Sequence, residues 1–360
     1  MGHIMTFWDV DFSSALENKT GKYFIGRDII SDHHAMINRV YYWRSALPHH
    51  ASAADARLLR IGLKLEIRSR GIFGGSVIPP RKKTAPTLHL DPFSVLHTAI
   101  DSRDIVLVHD LGPITDPDLF QPWLERLYRL AYAKIMQAGA RTVFVSRASR
   151  DAFQSVIGTT RGMTVIYPHL RGGIRHHEQQ PVAGLEAPYL LTVGSLGRRK
   201  NQAVMIRAFG KSGLAERGVR FVLCGAREPG AEVVEKAAAA TAGVHLLPYV
   251  SDSELTWLYA NAIGFVLVSR LEGFGMPVAE AISHGIVPLV TEASVLEEVA
   301  GHGALTASVD DEERLAAGMI TLALMDAVER RRRMEAMSLS MNRFTAARFA
   351  ECWGRELSQR

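Results

Sequence analysis

Two cysteines in 360 residues, Cys224 and Cys352, are too few for a disulfide framework and lack the spacing of a metal site. The fold must therefore hold by packing alone, and a reducing compartment is expected. No run approaches the ~20 apolar residues that span a bilayer. The first residues also lack the basic and apolar regions of an export signal. The expected location is cytoplasmic, with peripheral contact at the inner face of the cell membrane left open. No internal repeat stands out, and no low-complexity tract beyond a short AAAAT. What is present is ordinary globular balance, 47% hydrophobic and 22% charged. A chain of this length suits two domains of about 150 to 200 residues each.

The net charge of +5 is unevenly placed. Residues 1–170 hold 21 Lys and Arg against 15 Asp and Glu, whereas residues 171–360 hold 21 against 22. The excess is densest between residues 57 and 83. There Arg57, Arg60, Lys64, Arg68, Arg70, Arg81, Lys82 and Lys83 meet one acid, Glu66. Such a segment suits an anionic membrane surface, where each base adds about 1 kcal/mol, or a phosphate-bearing acceptor. The alternative is a solvated basic face. No aromatic-rich or helix-turn-helix pattern accompanies the charge, which argues against nucleic acid.

From Asp104 onward, short apolar runs alternate with amphipathic stretches. DIVLVHD, RTVFVS and GMTVIYP read as parallel strands, with a helix over QPWLERLYRLAYAKIMQAG between the first two. After a polar stretch the pattern restarts: PYLLTVGS, VRFVLCG, VHLLPY, AIGFVLVS and GIVPLVT are strands separated by helices. The expected class is α/β, with two doubly wound, Rossmann-like parallel sheets facing a cleft. The expected domains are 1–172, a linker over 173–188, a second domain over 189–345 and a terminal helix over 346–360 that packs back on the first. The first hundred residues resist this reading. They carry His33-His34, His49-His50 and Gly74-Gly75 without clean alternation.

Chemistry concentrates in two windows. In FVLVSRLEGFGMPVAEAISHG an apolar strand enters a loop holding Glu272, Gly273, Phe274 and Gly275, and Pro277 stands where a helix begins. Open α/β sheets bind ligands at such strand ends, and helix N-termini offer N–H groups to anions. Glu272 and Glu280 are eight positions apart and can face one cleft, each accepting two hydroxyls of a diol. In TVGSLGRRKNQAVMIRAF a glycine turn precedes Arg198, Arg199 and Lys200, cations able to neutralise a diphosphate leaving group.

Together the windows resemble the retaining GT-B glycosyltransferases of family 4. There V-G-x-L-x-x-x-K-[GN] precedes E-G-F-G-x-P-x-x-E, here with Lys200 and Glu272 some seventy residues apart. The resemblance covers roughly residues 104–320. It implies a donor site of Gly194, Ser195, Arg199, Lys200, Gly273, Phe274, Gly275, Met276 and Glu280. Lys200 and Arg199 would take the diphosphate, Glu272 the transferred sugar and Glu280 the ribose. The strand-end pair in VLVHDLGPITDP would set His109 beside the reacting carbon, making His109 and Glu272 the catalytic pair; a capping or turn role is the alternative for His109-Asp110. Ser195 stands where the family often has an arginine. No glycine-rich loop follows the first strand, and Thr20–Asp28 is the nearest candidate.

The resemblance further implies transfer with retention, no nucleophilic side chain, no metal and no cofactor beyond the nucleotide-sugar. Asp9-Val-Asp11 and Asp116-Pro-Asp118 match a metal-binding D-x-D only superficially. The form of the motifs looks like bacterial polysaccharide mannosyltransferases, so GDP-mannose is the expected donor, with UDP- and dTDP-sugars open. A saccharide or polyprenyl-diphosphate-linked acceptor is expected. Rival readings are an epimerase or phosphorylase on the same fold, a non-catalytic binding protein, and a dehydrogenase. The last would need a strand-turn-helix G-x-G-x-x-G that the sequence lacks.

Overall fold

A computed structural model describes residues 6–16, 21–46, 53–73, 78–170, 178–186, 188–247 and 250–359. The His49-His50 and Gly74-Gly75 pairs, Thr20 and part of the 173–188 stretch lie outside the described residues. The chain divides into two compact units, residues 1–168 with 346–360, and residues 169–345.

In the first unit the strands are β1 (Trp8–Asp11), β2 (Ile37–Tyr42), β3 (Ser45–Ala46), β4 (Thr87–His89), β5 (Ile105–Val108), β6 (Arg141–Phe144) and β7 (Met163–Val165). They form one sheet in the order β3-β2-β1-β4-β5-β6-β7. Every pairing is parallel except β2 with β3. β5 reads IVLV and is buried throughout, as befits a strand covered on both faces. The helix Pro122–Ala138 buries Leu127, Tyr128, Ala131, Tyr132 and Ile135, one face at helical spacing, and ends where Gly139 turns left-handed.

β1 falls where an opening strand around Asp9-Val-Asp11 is expected, whereas β4 escaped the pattern reading; in both, polar residues point inward. Asp9 and Asp11 are buried, Asp9 held by the Asn38 amide (2.9 Å). Asp11 takes the hydroxyls of Ser13 (2.6 Å) and Thr98 (2.9 Å), and His97 lies 3.2 Å away. Two helices follow in this region, α1 (Gly21–Asp32) and α2 (Ala53–Phe73).

The terminal helix Ala346–Ser358 belongs to this first unit. It buries Phe349, Trp353 and Leu357. The Trp8 indole donates to the Leu357 carbonyl (3.0 Å), and Arg141 pairs with the buried Glu356 carboxylate (2.8 Å).

The second unit holds β8 (Tyr189–Val193), β9 (Arg220–Cys224), β10 (Val244–Leu247), β11 (Gly264–Leu267), β12 (Pro288–Thr291) and β13 (Leu305–Ala307). All are parallel, in the order β10-β9-β8-β11-β12-β13. Among the described residues no helix is long and apolar enough to cross a membrane.

Trp353 is fully buried on the terminal helix, so Trp353→Ala is expected to cost about 3–5 kcal/mol in a denaturant titration. An unchanged midpoint would mean that the helix contributes nothing to this core.

Candidate active site

In both sheets the chain first moves outward to one side and then returns to build the other. The reversal falls between β1 and β4 in the first unit and between β8 and β11 in the second. Strand C-terminal ends at such a switch point leave a crevice where ligands bind. The basic turn follows β8 and the acidic loop follows β11, so the sequence windows flank the second unit's switch point.

Gly194 leaves β8 with its N–H on the Cys224 carbonyl (2.9 Å), and Leu196 N–H reaches Ala226 (2.8 Å). A side chain at Gly225 would run into the Gly194 carbonyl, so here only glycine allows the turns after β8 and β9 to touch. Arg198–Lys200 form a single tight turn, and Asn201 adopts φ 60°. The Asn201 amide donates to the carbonyls of Val268 (3.1 Å) and Val309 (2.7 Å), and Arg270 N–H donates to Arg199 (3.0 Å). Gln202 closes the turn from inside, donating to Ser195 O (2.8 Å) and accepting from Gly197 N–H (3.2 Å).

Beyond β11, the Phe274 ring is buried edge-on against Phe344, with centroids 5.2 Å apart. Gly275 then starts the helix Met276–Ser283 at φ 99°, where a side chain would strike Leu296, and Pro277 is the second helical residue.

Charge ties the windows together. The buried Lys200 ammonium pairs with the Glu272 carboxylate, which also accepts from Ser269 Oγ (3.0 Å). Arg199 lies 3.6 Å from Glu272 and 3.6 Å from Glu228, and Ser195 Oγ donates to Glu228 (2.6 Å). Burial pushes the Glu272 pKa up, but Lys200 and Arg199, with hydrogen bonds from Lys200 and Ser269, hold it below the usual carboxylate value. Glu272 is therefore ionised at neutral pH.

Glu280 is buried one turn into the helix, where Tyr259 OH donates to its carboxylate (3.0 Å). The Tyr259 ring stacks on His284 at 5.1 Å, and His284 Nδ1 donates to the Glu280 carbonyl (3.0 Å). One tyrosine thus fixes one carboxylate oxygen, and its ring is itself fixed from behind.

In the first unit, His109 directly follows β5 and is buried, with Nε2 donating to the Leu90 carbonyl (3.0 Å). Burial, and then the nearby Lys22 charge, push its pKa down to about 4 against the pull of Asp91, Leu90 O and Asp110. It is a neutral imidazole at pH 7. Asp110 accepts the Gly112 N–H (3.1 Å), so this half of the pair does carry the turn. Lys22 Nζ lies 3.4 Å from Asp91, which follows β4 at the same switch point.

Ser195, Arg199, Lys200 and Glu272 thus meet in one cluster with Glu228, while Glu280 is bonded separately to Tyr259 and His109 lies in the other unit. Sequence reasoning did not single out Glu228, Gln202, Tyr259, Lys22 or Asp91. Glu228 was signalled by position, since CGAREPG is another strand end with glycine. Tyr259 had no signal beyond its helix. The Thr20–Asp28 candidate is corrected: Gly21–Asp28 is the start of α1, with Gly26 packed against Phe12 and Leu90. Among the described residues no three His, Cys, Asp or Glu converge as a metal-holding group.

Two doubly wound, mostly parallel sheets, the second with its charged turns at the switch point, give this chain the GT-B fold. Over 99% of this chain and 100% of the other, it superposes with a TM-score of 0.70 and 17% identity on the crystal structure of Anabaena Alr3699/HepE, solved with UDP and glucose. The family model described as glycosyl transferases group 1 matches residues 174–338.

Among curated relatives, the chain is similar to O-antigen chain mannosyltransferase B of Escherichia coli, 31% identical over 138 residues, 37% of this chain and 36% of that protein. It is also similar to O-antigen chain mannosyltransferase RfbU of Salmonella typhimurium, 26% identical over 214 residues, 58% of this chain and 57% of that one. The matched stretches thus span between a third and just over half the length of these relatives.

Because the folded-state pKa of His109 lies below its ordinary 6.5, the unfolded chain binds the proton more readily in between, and stability falls as pH drops from 6.5 toward about 4. Melting temperature against pH is expected to show a shallower acid slope in His109→Gln than in wild type. Parallel slopes would rule out a buried neutral imidazole.

Proposed function

We propose that this chain is a retaining, metal-independent glycosyltransferase that moves mannose from GDP-mannose to a saccharide or lipid-linked saccharide acceptor in bacterial polysaccharide assembly. The observation that carries the reading is the contact between the basic turn after β8 and the acidic loop after β11, Lys200 and Arg199 on Glu272, at a topological switch point.

In this reading the donor diphosphate competes with Glu272 and Glu228 for Arg199 and Lys200. When the cations turn to phosphate, the Glu272 carboxylate is released to accept hydroxyls of the transferred sugar. The start of the helix Met276–Ser283 adds its positive end, with Gly273, Phe274, Gly275 and Met276 at the sugar and phosphates. Gly194 and Ser195 line the turn, and Glu280, oriented by Tyr259, takes the ribose. His109 contacts the sugar as a neutral imidazole. Charge on the leaving diphosphate is met by fixed cations and backbone dipoles, so no metal is required, and turnover in chelator is expected to equal turnover without it.

Similarity to two O-antigen chain mannosyltransferases supports mannose. A UDP-sugar donor is the second reading, supported by the likeness to a protein solved with UDP and glucose. A non-catalytic binding protein would have no need for Lys200, Glu272 and Glu280 together.

Thermal unfolding with GDP, UDP and dTDP distinguishes these readings, since a ligand at 100 times its Kd adds about 2.7 kcal/mol. GDP alone is expected to raise the melting temperature, and the shift should vanish in Lys200→Ala. With GDP-mannose and an accepted saccharide, Lys200→Ala and Glu280→Ala should each lower turnover more than about tenfold. Wild-type turnover in both variants would sink the site, and a shift with UDP alone would move the donor to the second reading.

A further inference from the structure

The basic segment divides once its side chains are placed. Arg70 pairs with Glu66 (2.7 Å), Arg81 lies over the Tyr41 ring (3.5 Å), and Lys83 pairs with Asp104 (2.5 Å) and Asp101 (2.9 Å). These three hold the first unit together. Arg57, Arg60, Lys64 and Arg68 remain exposed along α2, and among them Leu58, Ile61 and Leu65 are 70%, 51% and 64% exposed.

At about 100° per residue, the four bases fall within about 80° of the helix circumference and the three apolar residues occupy roughly the next 60°. The opposite side of α2 is anchored. Leu63 is buried, Gly62 leaves room for the Trp43 ring, and the Glu66 carboxylate accepts from Trp43 Nε1 (2.6 Å) and Arg70. Glu66 is thus turned away from the exposed bases.

A contiguous exposed apolar trio calls for a covering partner, and the charge selects which one. A second copy of this face would set four cations against four cations, which opposes self-association. An anionic bilayer answers both stripes, with phosphate headgroups for the bases and an acyl boundary for the leucines and isoleucine. We propose that the outward face of α2 is a membrane-docking surface. Leu58, Ile61 and Leu65 enter the headgroup–acyl boundary, and Arg57, Arg60, Lys64 and Arg68 lie among anionic headgroups. The proposal stands on α2 alone and does not rest on the transferase reading.

The test is flotation of the full chain with phosphatidylcholine vesicles, with and without phosphatidylglycerol. Binding is expected only with phosphatidylglycerol and should weaken as salt rises. Arg60→Gln and Lys64→Gln should each lower vesicle affinity about fivefold, and Leu65→Ser about tenfold. Each variant should keep the wild-type melting temperature and its response to GDP, so that a docking failure is read separately from a fold or donor-site failure. Wild-type protein that ignores anionic vesicles, or variants that bind as wild type does, would overturn the proposal. So would a dimer in light scattering that Leu65→Ser dissociates while vesicles remain unbound, since the face would then join two copies of the chain.

Discussion

A lysine ammonium buried in the turn beyond a parallel strand needs an acid beside it, because an unpaired buried charge costs several kcal/mol. Lys200 meets that requirement with Glu272, and the rest of the second unit's site is organised around the pair. The partners come from turns after different strands, so their meeting requires β8 and β11 to be neighbours, as they are at the switch point. The Asn201 side-chain amide on the Val268 carbonyl and the Arg270 N–H on the Arg199 carbonyl then fix the two turns independently of the charges. In the proposed reading, an incoming anion draws Lys200 and Arg199 away from their carboxylates without loosening the turns. The pair therefore matters more for the arrangement it imposes than for net stability, which buried ion pairs often do not increase.

The two units share a topology but use polar residues differently. In the second, charged groups gather where the strands end. In the first, acids and histidines are buried in the sheet and beside it: Asp9, Asp11 and His89 on strands, His97 and Asp104 next to them. Lys83 and the Thr87 N–H on Asp104 (2.8 Å), with Ser13 and Thr98 on Asp11, give these carboxylates the partners that burial demands. Such a network ties β1, β4 and β5 to the segments around them.

That difference decides what was legible in the sequence. β5, β6 and the strands from β8 to β12 are apolar runs bounded by glycine or proline, and their alternation with helices gave the class directly. β1 and β4 present Asp and His to the interior; β1 was legible only as an opening strand, and hydrophobic pattern could not find β4. The basic turn and acidic loop were legible because their glycines, bases and acids sit at strand ends. Glu228 and Tyr259 were not, since their importance comes from contacts across 33 and 21 residues of sequence. Nor did the sequence separate the buried bases Arg70 and Lys83 from the exposed row on α2, a distinction that only side-chain placement makes.

The most direct measurement is a crystal structure with an intact nucleotide-sugar, GDP-mannose, bound to the chain. The account predicts diphosphate oxygens within hydrogen-bond reach of Lys200 and Arg199, with Glu272 turned from the lysine to a sugar hydroxyl. A nucleotide bound elsewhere, with Lys200 still paired to Glu272 and Arg199 still between Glu272 and Glu228, would contradict it.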